Sequence, residues 1–130
     1  MPVKVYIDHG AGLVEASADE SLSVEDVLAY LEHLVEQGAM PYSKLFDATA
    51  AKVTMSVDEL RSIGAWVRKY AIDGRGPIGP LAIVSTAGNQ IDAAYFADAA
   101  GSNRPLRIFR DRAEATAWLE QAAKGGGRRR

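Results

Sequence analysis

The chain has 130 residues, 15 basic and 17 acidic side chains, a formal net charge of −2, and no cysteine. That length bounds it to one domain able to bury roughly two thirds of its unfolded surface without a disulfide or metal staple, and the missing cysteines exclude thiol nucleophiles and thiolate metal sites. Four of the basic residues are Lys124, Arg128, Arg129 and Arg130, so the body carries eleven basic against seventeen acidic side chains, a sign that repels a phosphate backbone and argues against general nucleic-acid binding.

The start, Met1-Pro2-Val3-Lys4-Val5-Tyr6-Ile7-Asp8, has no long apolar run behind a basic segment, and no stretch approaches the ~18 apolar residues that span a bilayer. The expectation is a cytoplasmic protein without a transmembrane segment. Val3, Val5 and Ile7 alternate with Lys4, Tyr6 and Asp8, the period of a half-buried strand. His9 to Gly12 reads as a turn, Leu13 to Ser17 as the returning strand of a hairpin, and Asp19 to Ser23 as a polar connection. A helix follows on the stripe Val24, Val27, Leu28, Leu31, Leu34 and Val35. Ser23 or Ser21 caps it, Glu25 and Asp26 favour its positive end, and Gly38 with Pro41 stops it.

The stretch Tyr42 to Ile63 organises the rest. It reads as a central strand ending at Asp47, a loop crossing the sheet's C-terminal edge, and a helix capped by Ser56. Glu59 stands at the capping-box position, and Leu60, Ile63 and Val67 follow at helical spacing. The crevice beyond the C-terminal ends of such strands is where ligands and partners bind in open α/β sheets. The helix runs to about Tyr70. The segment Asp73 to Pro80 is a loop, Leu81 to Ser85 a strand buried on both faces, and Gly88 to Gly101 a third helix. Leu106 to Arg110 alternates as a last strand. Asp111 caps a final helix with Glu114 at the box position and Ala115, Trp118, Leu119 and Ala122 facing inward. The order is ββαβαβαβα, with each later strand followed by a crossover helix. Residues 1–123 form the domain, and 124–130, Lys-Gly-Gly-Gly-Arg-Arg-Arg, a flexible basic tail.

Gly74-Arg75-Gly76-Pro77-Ile78-Gly79 has the letters of a dinucleotide fingerprint. However, a helix precedes it and a strand follows, the reverse of what that chemistry needs, so it reads as a connecting loop and no cofactor is expected. His9 and His33 lack converging partners for a metal, and a solvated role is preferred for each. No serine has a nucleophile elbow or a histidine base. Asp47 either caps backbone N–H groups of the loop or faces a partner, with capping preferred. Met55 either staples to Leu60 or is a contact residue, and Asn89 and Gln90 open the third helix as plain start residues or as groups orienting an anion. Trp66 and Trp118 are expected in the core.

The last block, Leu106-Arg107-Ile108-Phe109-Arg110-Asp111-Arg112-Ala113-Glu114-Ala115-Thr116-Ala117-Trp118-Leu119, resembles the SpoIIAA-like family. In that family a strand ending Phe-Arg-Asp runs into a helix reading Glu-Ala-x-x-Trp-Leu. The central Leu45-Phe46-Asp47 and the Ser56-x-Asp58-Glu59-Leu60 helix start are similar to the same family, and the resemblance covers residues 3 to 122. It implies a single-domain α/β STAS-type mixed sheet with helices mainly on one face, as in bacterial anti-sigma-factor antagonists, which bind partner proteins through the loop and helix after the central strand. It also implies a phosphorylatable serine in an Asp-Ser-Ser-Gly motif at that helix. Ser56 falls at or beside that position, but the motif is absent, and Asp58 and Glu59 would repel an added phosphate that the helix dipole attracts.

The resulting expectation is a non-enzymatic interaction or regulatory module with an unidentified protein partner. Its candidate contacts are Asp47, Thr54, Met55, Ser56, Asp58, Glu59, Ser85, Asn89 and Gln90. The alternative is a small-molecule or lipid carrier of Sec14-like type, which requires an apolar pocket above ~300 Å³. An enzyme would instead gather Asp47, Asn89 and Arg107 or Arg110 in one cleft with a perturbed carboxylate. A homodimer through an exposed strand edge or an aromatic helix face is compatible with either binding reading.

Overall fold

The computed structural model describes residues 3–53, 55–74, 78–85 and 106–128. Strands β1 (Val3–Asp8) and β2 (Leu13–Leu22) form the expected hairpin, paired antiparallel from Val3↔Ala18 to Asp8↔Leu13. Its turn is closed by the Ala11 N–H donating to Asp8 Oδ1 at 3.1 Å. Strands β3 (Ser43–Val53), β4 (Leu81–Val84) and β5 (Leu106–Phe109) follow in parallel, giving one five-stranded mixed sheet in the order β1-β2-β3-β4-β5. The connections β2–α1–β3 and β3–α2–β4 are the crossovers that parallel neighbours require.

Helix α1 (Val24–Glu36) begins in a full capping box: Ser23 Oγ accepts from the Asp26 N–H, and Asp26 Oδ2 accepts from the Ser23 N–H at 3.0 Å. It ends as Gly38 turns out with φ +69°. Helix α2 (Val57–Ile72) buries Leu60, Ile63, Val67 and Tyr70, one residue per turn of the same stripe. Both helices cover the sheet face carrying Val3, Val14, Ala16, Ala18 and Ala48, and with it they form the larger core.

Helix α3 (Arg112–Arg128) lies on the opposite face. Ala115 and Leu119 pack on Leu45, Ala82 and Val84, and Trp118 meets Phe109 at 5.8 Å between ring centroids. The central strand therefore serves both cores by alternation, Leu45 to one side and Phe46 with Ala48 to the other. All four residues of β4 are buried, as a strand covered on both faces demands. Fully burying a side chain such as Leu119 stabilises by about 1.5–3 kcal/mol, so both layers contribute.

Four expectations change. The polar segment Asp19–Leu22 is strand, and β3 continues past Asp47 through Ala48–Val53 where a loop was expected. The two extensions pair with each other, Asp19↔Ala50 to Leu22↔Val53, after a register shift in which β3 carries one extra residue. Backbone pairing needs no apolar side chains, which is why polarity misplaced Asp19–Leu22, and Ala48–Val53 is strand because it pairs with that segment. The final helix runs on through Arg128, over positions where the glycine run pointed to a flexible tail. The expected third helix, Gly88–Gly101, lies outside the described residues. Trp66 is only partly buried, stacked on Tyr70 at 5.9 Å.

Residues 73–74 and 78–80 are neither helix nor strand, and Gly79 has a packing reason. Gly79 is buried with its N–H donating to Met40 O at 2.9 Å, and a Cβ there would collide with the Pro41 and Tyr42 carbonyl oxygens.

Candidate functional site

Asp47 sits opposite Ser17 of β2 and Val84 of β4, at the last position where β3 is flanked by a strand on both sides. Its Oδ1 accepts from the Thr49 N–H at 3.0 Å and the Thr49 hydroxyl at 2.7 Å. This is the local turn by which a short carboxylate satisfies backbone at a bulge. Its Oδ2 accepts from Arg112 Nη1 at 2.9 Å, and Arg112 Nη2 lies 3.9 Å from Glu15 Oε1. One arginine at the first position of α3 thus bridges carboxylates of β2 and β3.

Partial burial alone would raise the Asp47 carboxyl. The hydrogen bonds from the Thr49 hydroxyl and N–H, then the bond and charge of Arg112, outweigh it and hold the group below the ordinary carboxylate value. A carboxylate so held stays ionised at neutral pH and is a poor proton donor. The cation that meets it is Arg112, whereas Arg107 lies over the Phe109 ring at 5.5 Å. Asn89, the other member of the set an enzyme would need, lies outside the described residues.

The second locus is the start of α2. Ser56 N–H donates to Glu59 Oε1 at 2.9 Å and Glu59 N–H to Ser56 Oγ at 3.1 Å, a reciprocal capping box. Ser56, Val57 and Asp58 are exposed, while Met55 is half-buried against the larger core. Six strand residues at about 3.3 Å each carry the chain up to ~20 Å from Asp47 to the end of β3. The chain between Asp47 and α2 is therefore strand up to Val53, where a single loop over the sheet edge was expected. Ser85 corrects a further expectation: it is 1% exposed, with its N–H donating to Phe109 O at 2.8 Å, so it offers no contact surface. Thr54, Asn89 and Gln90 lie outside the described residues.

Helix α3 covers only the β3–β5 half of its face. Over β1 and β2, among the described residues, lies a cleft of about 220 Å³ lined by Lys4, Tyr6, Glu15, Ser17 and Arg112 among others. The lining is mixed polar and the volume falls below the usual ~300–1,000 Å³ of ligand pockets, so this cleft does not favour an apolar cargo.

Sequence reasoning missed two participants here, Arg112 and Glu15, and, away from the site, the burial of Lys44. Arg112 carried a signal, because a cation in the first turn of a helix opposes the macrodipole and calls for compensating carboxylates. Lys44 is 1% exposed, its ammonium donating to the Met40 and Tyr42 carbonyls; nothing in its sequence context distinguishes it from a surface lysine.

His9 is exposed with Nδ1 2.8 Å from the Tyr42 hydroxyl, and His33 is exposed in the last turn of α1. Among the described residues no three His, Cys, Asp or Glu side chains gather as a metal site, and no helix is long and apolar enough to cross a membrane.

No protein-family model matches the chain, and no curated protein matches it. Among solved structures it is similar to an uncharacterized protein of the DUF3478 family with a SpoIIAA-like fold from Shewanella loihica PV-4. The TM-score is 0.60 at 18% identity over 90% of this chain and 93% of that one. The fold is SpoIIAA-like, as the Phe109-Arg110-Asp111 block suggested.

Proposed function

We propose that the chain is a non-enzymatic protein-interaction module that docks a partner on the N-terminal turn of α2, with Met55, Ser56, Val57, Asp58 and Glu59 as its contacts. The observation that carries this reading is Val57, a large apolar side chain 38% exposed between the exposed polar residues Ser56 and Asp58. An apolar centre with a polar rim is the composition of a small docking patch. The SpoIIAA-like fold supports the same end of the molecule, because regulators of that fold type bind partners through the helix after the central strand. Asp47 belongs to the scaffold in this reading, since its carboxylate is already committed to Thr49 and Arg112.

Ser56 contributes as cap and contact. Its Oγ accepts from the Glu59 N–H and the Glu59 carboxylate stands within the same box, so a phosphate there would meet two acidic side chains. The test is a photo-crosslinking residue placed at Val57, with a control at the exposed Glu120 of α3. A single discrete adduct formed from position 57 and lost on Asp58→Lys supports the reading. The same adducts from both positions, or none from 57, would overturn it.

A further inference from the structure

Strand β1 is the outermost strand on its side of the sheet. It pairs with β2 along one edge and, among the described residues, with nothing along the other. Exposed edges are ordinarily blunted by a proline, a bulge or a charge that has no mate. Over Val3–Asp8 there is no proline and no register shift against β2. What stands on the outer face is Lys4, Tyr6 and Asp8, with Tyr6 61% exposed at the midpoint.

We propose that β1 pairs antiparallel with β1 of a second copy of this chain about a two-fold axis through Tyr6, joining two five-stranded sheets into one. The surface is separate from the α2 turn, so this inference does not rest on the docking function.

An axis perpendicular to the sheet keeps outer-face residues opposite outer-face residues, so the axis can move along β1 only from one residue to the next, each choice setting a distinct set of pairs. Centred on Tyr6, Lys4 faces Asp8 of the partner subunit, Asp8 faces the partner's Lys4, and the two Tyr6 rings meet on the axis. Centred on Val5, Lys4 faces the partner's Tyr6; centred on Ile7, Tyr6 faces the partner's Asp8. Centring on Lys4 or on Asp8 puts like charges face to face, which cross-strand pairing disfavours. One register alone matches both charges. On the inner face it also places Val5 opposite the partner's Ile7, and both side chains already pack against the larger core. The lysine that would blunt a lone edge is thus complemented by the strand's own aspartate. The same pairing sets the two outer-face clefts side by side across the axis.

A single edge of six residues is a small interface, so the expected dissociation constant is on the order of 10–100 μM. Sedimentation velocity over rising concentration reads it. The wild-type chain is expected to dimerise, and Tyr6→Lys, which sets two cations on the axis, to remain monomeric. Lys4→Asp and Asp8→Lys are each expected to weaken self-association at least about 10-fold, and an equimolar mixture of the two to recover a dimer, because every charge then meets its opposite. Asp8→Lys also removes the acceptor for the Ala11 N–H, so circular dichroism must show it folded. Tyr6→Lys and Lys4→Asp lie outside that turn and decide the matter by themselves if it is not. A wild-type monomer at about 1 mM, or a dimer indifferent to Tyr6→Lys and Lys4→Asp, overturns the proposal, as does a mixture of two folded charge variants that stays monomeric.

Discussion

Arg112 Nη1 stands 2.9 Å from Asp47 Oδ2, joining the first residue of α3 to the central strand 65 positions earlier in the chain. The pair matters more for what it orders than for its charge. Arg112 is 48% exposed, so solvent screens the ion pair and its own contribution is small. The Thr49 bonds on Oδ1 are local and hold the bulge of β3.

Replacing Asp47 by Ala should therefore cost about 1–2 kcal/mol at neutral pH, mostly from hydrogen bonds to a charged acceptor. The folded-state pKa lies below the ordinary value of 3.8, so the stabilisation is complete above the unfolded value and disappears as pH falls through the folded one. Urea melts at pH 7 should separate wild type from Asp47→Ala, and the difference should shrink steadily below about pH 4. A gap that persists in acid would mean that the loss comes from packing and not from the carboxylate.

The start of α2 allows capping to be separated from docking. Ser56→Ala removes the acceptor for the Glu59 N–H and should lower stability by about 1 kcal/mol. Ser56→Asp keeps a capping oxygen at the positive end of the helix and should stay within about 0.5 kcal/mol of wild type. Chemical denaturation of the two variants ranks them, and only the alanine should be clearly weakened.

Gly79 and Gly38 look alike in the sequence but differ in what surrounds them. At Gly79 a Cβ meets backbone oxygens of Pro41 and Tyr42, groups that cannot swing aside; at Gly38 nothing lies within 4 Å, but φ is +69°. Gly79→Ala should cost about 3 kcal/mol or more, and Gly38→Ala only about 1 kcal/mol, the strain of a left-handed alanine. Thermal melts giving equal losses would refute the distinction.

What the sequence disclosed depended on how local the cause was. Ser23 with Asp26 and Ser56 with Glu59 declare themselves three residues apart, so both helix starts were legible. The stripe Leu60, Ile63, Val67 announced the buried face of α2 in the same way. Asp19–Leu22 and Ala48–Val53 were not legible, because each is a strand only by virtue of the other, thirty residues away in the chain. Asp47 was found as a strand-end carboxylate, but its cation was sought at Arg107 or Arg110. The helix-start position of Arg112, adverse to the dipole, was the overlooked clue. Ser85 was read both as the end of a buried apolar run and as a contact residue, and its 1% exposure upholds the first reading against the second.

The end of α3 gives the last prediction, which bears on where the folding unit stops. Helix α3 is tied down through Ala115, Trp118 and Leu119, all in its first half, whereas its last turns contain Gly125, Gly126 and Gly127. Each glycine is about 1 kcal/mol less favourable than alanine in a helix interior, so those turns gain little from forming. We therefore place the folding unit at residues 1–123. Removing residues 124–130 should leave the melting temperature within about 2 °C of wild type. Trp118→Ala, which empties the contact with Phe109, should cost about 2–4 kcal/mol. A truncated protein that melts as early as Trp118→Ala would show that the glycine-rich turns bear on the core, and would move the boundary of the domain to the end of the chain.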